Sequence, residues 1–408
     1  MNENNIKKNN MKAIAASILS LSLLTVMAGA AVAPALGVIE NHFAGENKLL
    51  IQMIISTPAI FIVLTNLIFP ALCKHMKIKT MVMTGLILYT AGGCAAGTFD
   101  NIWAVLSMRA LVGVGVGIIM PLSTGLLTLY FPKDAHEKMM GYSSAMNQMG
   151  GVTATVISGI LAQFSWRASF LVYLMGLISI VLCLICLPND KLITAGRPGK
   201  NTGRNKNSTA KEFLPYIVAM FLLMITFFIY PSNFAIETSA DGVIAPKFIT
   251  FIMAGMDLTA FAGGLMFVTI KAKLRSRTAL FAPSLFLAGY ILLTFVGGWA
   301  GTLIGSVFIG FANGAGIPFI ISEGSKKAGR AAAATVLPLI SAALYLAQFL
   351  VPILISAVSS ISVLSGVTHL PYMTAIVTSA LFLTWSALSF RDRASEKTQL
   401  KKEEHRAA

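Results

Sequence analysis

Residues 109–121 read RALVGVGVGIIMP, a single arginine in a run of Leu, Val, Ile, Met, Ala and Gly that closes on a proline. A charge at the centre of a membrane helix costs about 2.5–3.5 kcal/mol on insertion scales, so Arg109 must be compensated by hydrogen bonds or be put to work. Gly113 and Gly117 are four apart and share one helix face, where their lack of a side chain lets a neighbouring backbone come close. Pro121 removes a backbone donor and permits a kink. The Gly-Val-Gly-Val-Gly core has a superficial likeness to a phosphate-binding loop. Such a loop needs a preceding strand and a βαβ setting, and the flanking sequence supplies neither. The stretch is read as part of a membrane helix.

The rest of the chain agrees. Of 408 residues, 56% are hydrophobic and 12% charged, against roughly 25% charged in an average soluble protein. The apolar residues fall in many runs long enough to cross a bilayer core of about 30 Å as helices. Strands of an outer-membrane barrel would instead be about ten residues long with alternating polarity. The predicted fold is all-α and polytopic, with twelve spans near 13–38, 49–72, 80–98, 101–131, 140–163, 168–188, 213–235, 245–270, 278–297, 299–322, 331–358 and 368–390.

The net charge of +15 could suggest nucleic acid, but its placement speaks against that partner. Of the 31 lysines and arginines, 27 fall on one side of the predicted membrane, in both termini, the loops near 74–79, 133–138, 271–277 and 326–330, and the segment 189–212. The other side holds Lys48, Arg167 and Lys247, and Arg109 lies within the membrane. The positive-inside rule then puts both termini in the cytoplasm of a multi-pass protein, expected in a bacterial inner (plasma) membrane.

Displacing the sequence by 197 residues superimposes Pro34 on Pro231, Glu40 on Glu237, Lys74 on Lys271 and Gly92 on Gly289. The same offset carries Gly113, Gly117 and Pro121 onto Gly310, Gly314 and Pro318. A parallel repeat of two six-helix bundles follows, related by an axis along the membrane normal. The expected organisation is an N-terminal bundle over 1–188, a basic cytoplasmic linker over 189–212, a C-terminal bundle over 213–390 and a cytoplasmic tail over 391–408. Lys7, Lys8 and Lys12 before an apolar run resemble a signal peptide. The repeat argues against cleavage, because Pro34 and Glu40 have counterparts, Pro231 and Glu237, at the end of the seventh helix.

The chain resembles the major facilitator superfamily of secondary transporters, and the pattern comes closest to drug and small-molecule efflux proton antiporters. Arg109 followed by Gly113, Gly115, Gly117 and Pro121 matches the family's fourth-helix pattern. Gly150, Ala154, Thr155, Ser158 and Gly159 fit the spacing of the fifth-helix motif G-x-x-x-G-P-x-x-G-G, with Ala154-Thr155 in place of its central Gly-Pro. The loop after the second span, PALCKHMKIKT, departs from the family pattern: Lys74 stands where an aspartate is usual. Either another residue then closes the cytoplasmic gate, or the gate is looser. The resemblance implies that Arg109 takes part in proton coupling or organises the central cavity.

Two charges lie well inside the spans, Arg109 and Asp257. Asp257 is ten residues from Lys247 and fourteen from Lys271, hence near the midplane. An intramembrane acid is a functional candidate by default, and one that can take up a proton suits a proton-coupled carrier; the bland reading is a carboxyl held neutral by hydrogen bonds in helix packing. For Arg109 the alternatives are coupling or substrate contact, and structural bonds to helix carbonyls. Glu40 and Glu237 read either as polar helix ends or as an outer gate. Ser144, Gln148, Gly151, Thr155 and Ser158 form one stripe on the fifth helix, and Ser341, Tyr345, Gln348 and Pro352 its mate on the eleventh. Such stripes glue helices together or line a wet cavity. Asn147, Thr226, Tyr230 and Asn313 are further substrate-contact candidates, while Gly150 and Gly159 join Gly113, Gly117, Pro121 and Lys74 as conformational candidates.

Cys73, Cys94, Cys183 and Cys186 sit in or beside apolar helices and read as small buried residues. The histidines at 42, 75, 136, 369 and 405 show no ligand spacing. No metal or cofactor is expected. A membrane enzyme would need paired acids, a histidine cluster or a nucleophile–base pair within the spans, and none is found. The expectation is a monomeric carrier in the lipid bilayer that exports a small amphipathic or drug-like molecule against protons by alternating access. The alternatives are uptake of an organic anion with Arg109 as counter-charge and, more remotely, a non-transporting membrane sensor.

Overall fold

The computed structural model describes residues 3–131, 133–188, 206–361 and 367–407, and contains helices and short turns but no strand among them. The membrane-length helices are α1 (Met11–His42), α2 (Lys48–His75), α3 (Ile78–Thr98), α4 (Ile102–Tyr130), α5 (Lys133–Ala162), α6 (Trp166–Cys186), α7 (Lys206–Asp241), α8 (Pro246–Leu274), α9 (Thr278–Val296), α10 (Gly298–Lys327), α11 (Val336–Ser359) and α12 (Leu370–Ala407). Eleven of these helices are long and apolar enough to cross a membrane by composition, and α5 is the other. At 30 residues α5 spans about 45 Å, enough to cross. Its Ser143, Ser144, Asn147, Gln148, Thr153 and Thr155 make it the polar helix of the set.

Local chemistry sets several boundaries. The side chains of Asn47, Asn101 and Ser165 accept from the backbone N–H of Leu49, Trp103 and Arg167, capping α2, α4 and α6. Pro246 opens α8, where its missing N–H would have had no partner. A π turn over Leu292–Val296 ends α9, and Gly297 and Gly298 follow with φ of +55° and +56°, a conformation glycine adopts without strain.

The segment 326–330, expected as a loop, is helical: helical backbone runs unbroken from Gly298 to Ser359, 62 residues. A straight helix of that length would reach about 93 Å. A Cβ on Gly324 would lie 2.9 Å from Ile340 Cδ1, so the chain folds back between them and α10 and α11 are neighbours. Two further expected non-membrane segments are partly helical, since α7 begins at Lys206 and α12 continues to Ala407. Residues 189–205 of the expected linker lie outside the described residues.

The chain forms two compact units. Unit 1 comprises Met1–Gly203 and Pro231–Asp257; unit 2 comprises Arg204–Tyr230 and Leu258–Ala408. The division therefore falls inside α7 and inside α8. Within each unit the 197-residue repeat is visible as contact. A Cβ on Gly92 would lie 2.9 Å from Met108 O and 3.0 Å from Leu111 Cβ in unit 1. In unit 2, Gly289 stands in the same relation to Gly305 O and Phe308 Cβ, at 3.0 and 3.3 Å.

Lipid tails are as apolar as leucine, so helices here are held by close packing and polar bonds. The glycines show it. A Cβ on Gly113 would lie 2.4 Å from Pro58 O, one on Gly117 2.6 Å from Thr65 Cβ, and one on Gly150 2.0 Å from Leu23 O. In unit 2 a Cβ on Gly314 would lie 1.8 Å from Ala260 O. At Gly113, Gly150 and Gly314 the neighbour is a backbone oxygen that cannot rotate away, so these positions exclude any side chain.

Candidate functional site

Arg109 is fully buried in unit 1. Its Nε donates to Ile54 O at 2.7 Å, Nη2 to Ala28 O and Nη1 to the hydroxyl of Tyr173. That hydroxyl donates in turn to Ala28 O at 3.0 Å. One side chain of α4 thus joins α1, α2 and α6. Its partners are two carbonyls and a phenol, and no ion pair with an acid occurs among the described residues. This bonding is the carbonyl-anchoring alternative raised for the residue, and Tyr173 is a partner that sequence reasoning missed.

Asp257 lies elsewhere in unit 1, as its last residue. Its Oδ2 accepts from Thr155 Oγ1 at 2.7 Å, joining α8 to α5. Near this bond the two helices touch again at Gly159, where a Cβ would lie 2.1 Å from Thr250 Cγ2. Two adjacent faces of α5 pack on different helices, and the polar stripe follows one of them. Ser143 bonds Ser22 at 2.7 Å, Asn147 Oδ1 accepts from Thr25 Oγ1 at 2.6 Å, and Gly150 packs on Leu23, so this face is joined to α1. The adjacent face, running through Ser144, Gln148 and Thr155, carries the contact to α8. Gln148 is half-buried.

Glu40 and Glu237, mates in the repeat, are brought to one lysine. Lys48 Nζ is 3.7 Å from Glu40 Oε1 and 3.5 Å from Glu237 Oε1. A turn deeper, Gln52 Nε2 donates to Asn233 Oδ1 at 2.6 Å, with both residues buried. Gly37 completes the contact of α1 with α7: a Cβ there would lie 2.9 Å from Ser239 Oγ and 3.0 Å from Ala235 O. Sequence reasoning missed the Gln52–Asn233 pair. A lone carboxamide in an apolar span is costly unless a second group satisfies it, which marks Gln52 as needing a partner without saying which.

Beside this cluster Asp100 accepts from Arg167 Nη2 and pairs with His42 Nε2 at 3.0 Å. The hydrogen bond from Arg167, then that from His42, holds the Asp100 carboxyl below the ordinary carboxylate range. Arg167 also lies over the Trp166 ring, 4.8 Å from its centroid.

In unit 2 the candidate residues split. Thr226 Oγ1 donates to Thr378 Oγ1 at 3.1 Å, and Tyr230 is bonded to Ser306 Oγ at 2.7 Å. Ser306 gives its proton to Thr302 O, so Tyr230 is the donor in that pair. Both residues are engaged in helix packing. Asn313 is buried with Oδ1 lacking a partner among the described residues, Gln348 is buried and Tyr345 half-buried. At the far end of α8, Lys271 bonds Glu323 of α10, with Lys326 Nζ 3.6 Å from the same carboxylate. Lys74, the mate of Lys271, is exposed and has no ion pair among the described residues. The acid paired with Lys271 comes from α10 and not from the loop 271–277, which is basic like that of Lys74, and its mate in the first half is Leu126.

The cysteines are free, and no cluster of His, Cys, Asp or Glu fit for a metal occurs among the described residues.

Comparison with known proteins places this geometry. The sequence profile of the Major Facilitator Superfamily matches residues 18–352. The chain is 25% identical over 144 residues to the riboflavin transporter RibZ of Clostridioides difficile (strain 630), covering 35% of this chain and 32% of the relative. It is 23% identical over 239 residues to the quinolone resistance protein NorA of Staphylococcus aureus (strain MSSA476), covering 57% of this chain and 62% of the relative. The matches thus span about a third and somewhat under two thirds of these relatives. Among solved structures, an auto-inhibited POT family peptide transporter superimposes with a TM-score of 0.74 at 12% identity, over 95% of this chain and 97% of the other. A bacterial homologue of the human lysosomal transporter Spinster gives 0.70 at 12% identity, over 94% and 96%. With its profile matched over most of its length, this multi-pass membrane chain belongs to the Major Facilitator Superfamily.

Proposed function

We propose that the protein is a secondary carrier that exports a small amphipathic or drug-like compound in exchange for protons, exposing one binding site alternately to the two sides of a bacterial inner membrane. The observation that carries this reading is Asp257. Its carboxyl sits inside a membrane helix and is held by a neutral hydroxyl, with no cation paired to it among the described residues. An acid so placed can gain and lose a proton without breaking an ion pair. Relatives named for riboflavin transport and quinolone resistance support small, partly aromatic substrates. Within unit 2, Asn313 Oδ1, Gln348 and Tyr345 offer polar contacts for such a molecule.

In this reading the Glu40–Lys48–Glu237 cluster marks the outer side and closes it. Both termini are cytoplasmic, and Lys271–Glu323 stands at the cytoplasmic end of α8. Uptake of an organic anion with Arg109 as counter-charge has less support, because the guanidinium is fully buried and already bonded to two carbonyls and a phenol.

The test is flux of riboflavin, a quinolone and ethidium in proteoliposomes holding only this protein, under an imposed pH gradient. Export of at least one probe should follow the gradient and reverse with it. Flux of every probe that ignores the gradient in both directions would sink the proposal.

A further inference from the structure

The family's fifth-helix motif puts a proline where this chain has Thr155, and that threonine makes the bond to Asp257. A proline there could offer no side-chain donor. Thr155 is itself buried, and its hydroxyl reaches across a seam that Gly159 and Thr250 bring into contact. Titratable neighbours are scarce. Neither α5 from Ser143 to Ala162 nor α8 from Phe248 to Ile270 contains another titratable side chain. In unit 2, α10 packs on α8 through Gly314 and Ala260, and it has none from Trp299 to Ser322. The carboxyl therefore has one strong local partner, a hydroxyl that donates.

We propose that Thr155 is a positioning residue that locks the empty carrier: its bond to the ionised Asp257 carboxylate holds the α5–α8 seam shut until a proton or a substrate takes its place. The inference rests on Asp257 being the coupling acid. A hydrogen bond to a charged acceptor is roughly twice as strong as one between neutral groups. When Asp257 takes a proton from water, the charge assistance is lost and the seam can part. A substrate donor satisfying the carboxylate has the same effect. An exchanger needs such a lock, because a carrier that cycles with its acid empty and ionised carries protons one way and returns with nothing, which is a leak.

The experiment needs no knowledge of the substrate. Purified full-length protein goes into liposomes loaded with a pH-sensitive dye, and a potassium gradient with valinomycin drives proton entry with no substrate present. Thr155→Val, which keeps the shape and removes the hydroxyl, should raise substrate-free proton entry about tenfold, equivalent to about 1.4 kcal/mol. Thr155→Ser should restore the wild-type rate, and the double variant Thr155→Val/Asp257→Asn should abolish the leak. A merely structural role would not produce a leak that disappears with Asp257. If Thr155→Val does not fold, Thr155→Ala is read in the same assay. Proton entry at the wild-type rate in the hydroxyl-less variant, or a leak that survives Asp257→Asn, overturns the inference. The underlying reading fails separately: Asp257→Asn alone would then keep gradient-driven flux of the transported probe.

Discussion

At residue 109 the first half sets a guanidinium against the carbonyls of α1 and α2, with a phenol from α6 beside it. At residue 306, 197 positions on, the second half has a serine that accepts from Tyr230 of α7 and donates to its own helix. A second pair repeats the idea with different parts. In unit 1 the Tyr173 ring fills the space at Gly93, where a Cβ would lie 2.1 Å from its Cγ, and the hydroxyl reaches Ala28 O. In unit 2 the mate of Gly93 is Tyr290 itself, and its hydroxyl reaches Thr226 O at 2.6 Å, one residue from the position equivalent to Ala28. Each half thus ties its fourth and third helices, or their neighbours, to its first. One does so around a buried cation and the other through neutral hydroxyls alone. The comparison teaches that Arg109, conspicuous as a charge, is bonded between helices much as a serine and two tyrosines are in the second copy, and we read it as a fastener.

This difference can be broken by substitution. The largest effect is expected for Arg109→Ala, which leaves Ile54 O without its partner and empties a large buried site. Each orphaned buried group costs about 1–3 kcal/mol, and the cavity adds to it. Denaturant unfolding in detergent should show a loss of several kcal/mol by this principle, or a failure to yield folded protein. Wild-type stability in Arg109→Ala would refute the fastener role. Arg109→Lys should fall between, since one ammonium cannot reach all three acceptors in a planar fork.

A smaller effect is expected for Tyr230→Phe, which removes one neutral bond worth about 0.5–1.5 kcal/mol. The same unfolding assay checks it. A loss as large as that of Arg109→Ala would show the two halves to be fastened equally and dissolve the comparison.

The smallest effect on stability is expected for Lys48→Met. Its side chain is 49% exposed, and exposed ion pairs are worth about 0–1 kcal/mol. Its influence should appear instead in the balance of states. Without the lysine, Glu40 and Glu237 repel one another, and a cysteine introduced at Ser239 should react faster with a membrane-impermeant maleimide. An unchanged labelling rate would remove the cluster from the gate.

Much of this arrangement was legible in the sequence. Period, length and charge placement gave the spans, because a bilayer leaves few ways to satisfy a backbone. The 197-residue offset foretold that Gly92 and Gly289 would serve alike, since a close approach tolerates only glycine. Glu40 and Glu237 were singled out as mates. The identity of partners was not legible. Nothing in the string pairs Thr155 with Asp257, Gln52 with Asn233, or Arg109 with Tyr173, because each bond joins helices far apart in sequence whose rotation is set by packing. The unbroken helix through 326–330 was also hidden, since its Lys and Gly residues read equally well as a loop. The stripe on α5 was legible as one face, but the neighbouring face through Ser143, Asn147 and Gly150, joined to α1, was not read as a face.

The central claim is that protons are exchanged through Asp257. The most direct test is to add a transported probe to dye-loaded proteoliposomes at equal pH on both sides and record proton movement. Wild-type protein should move protons opposite to the probe, and Asp257→Asn should bind the probe yet move none. Proton movement of wild-type size in Asp257→Asn would contradict the account.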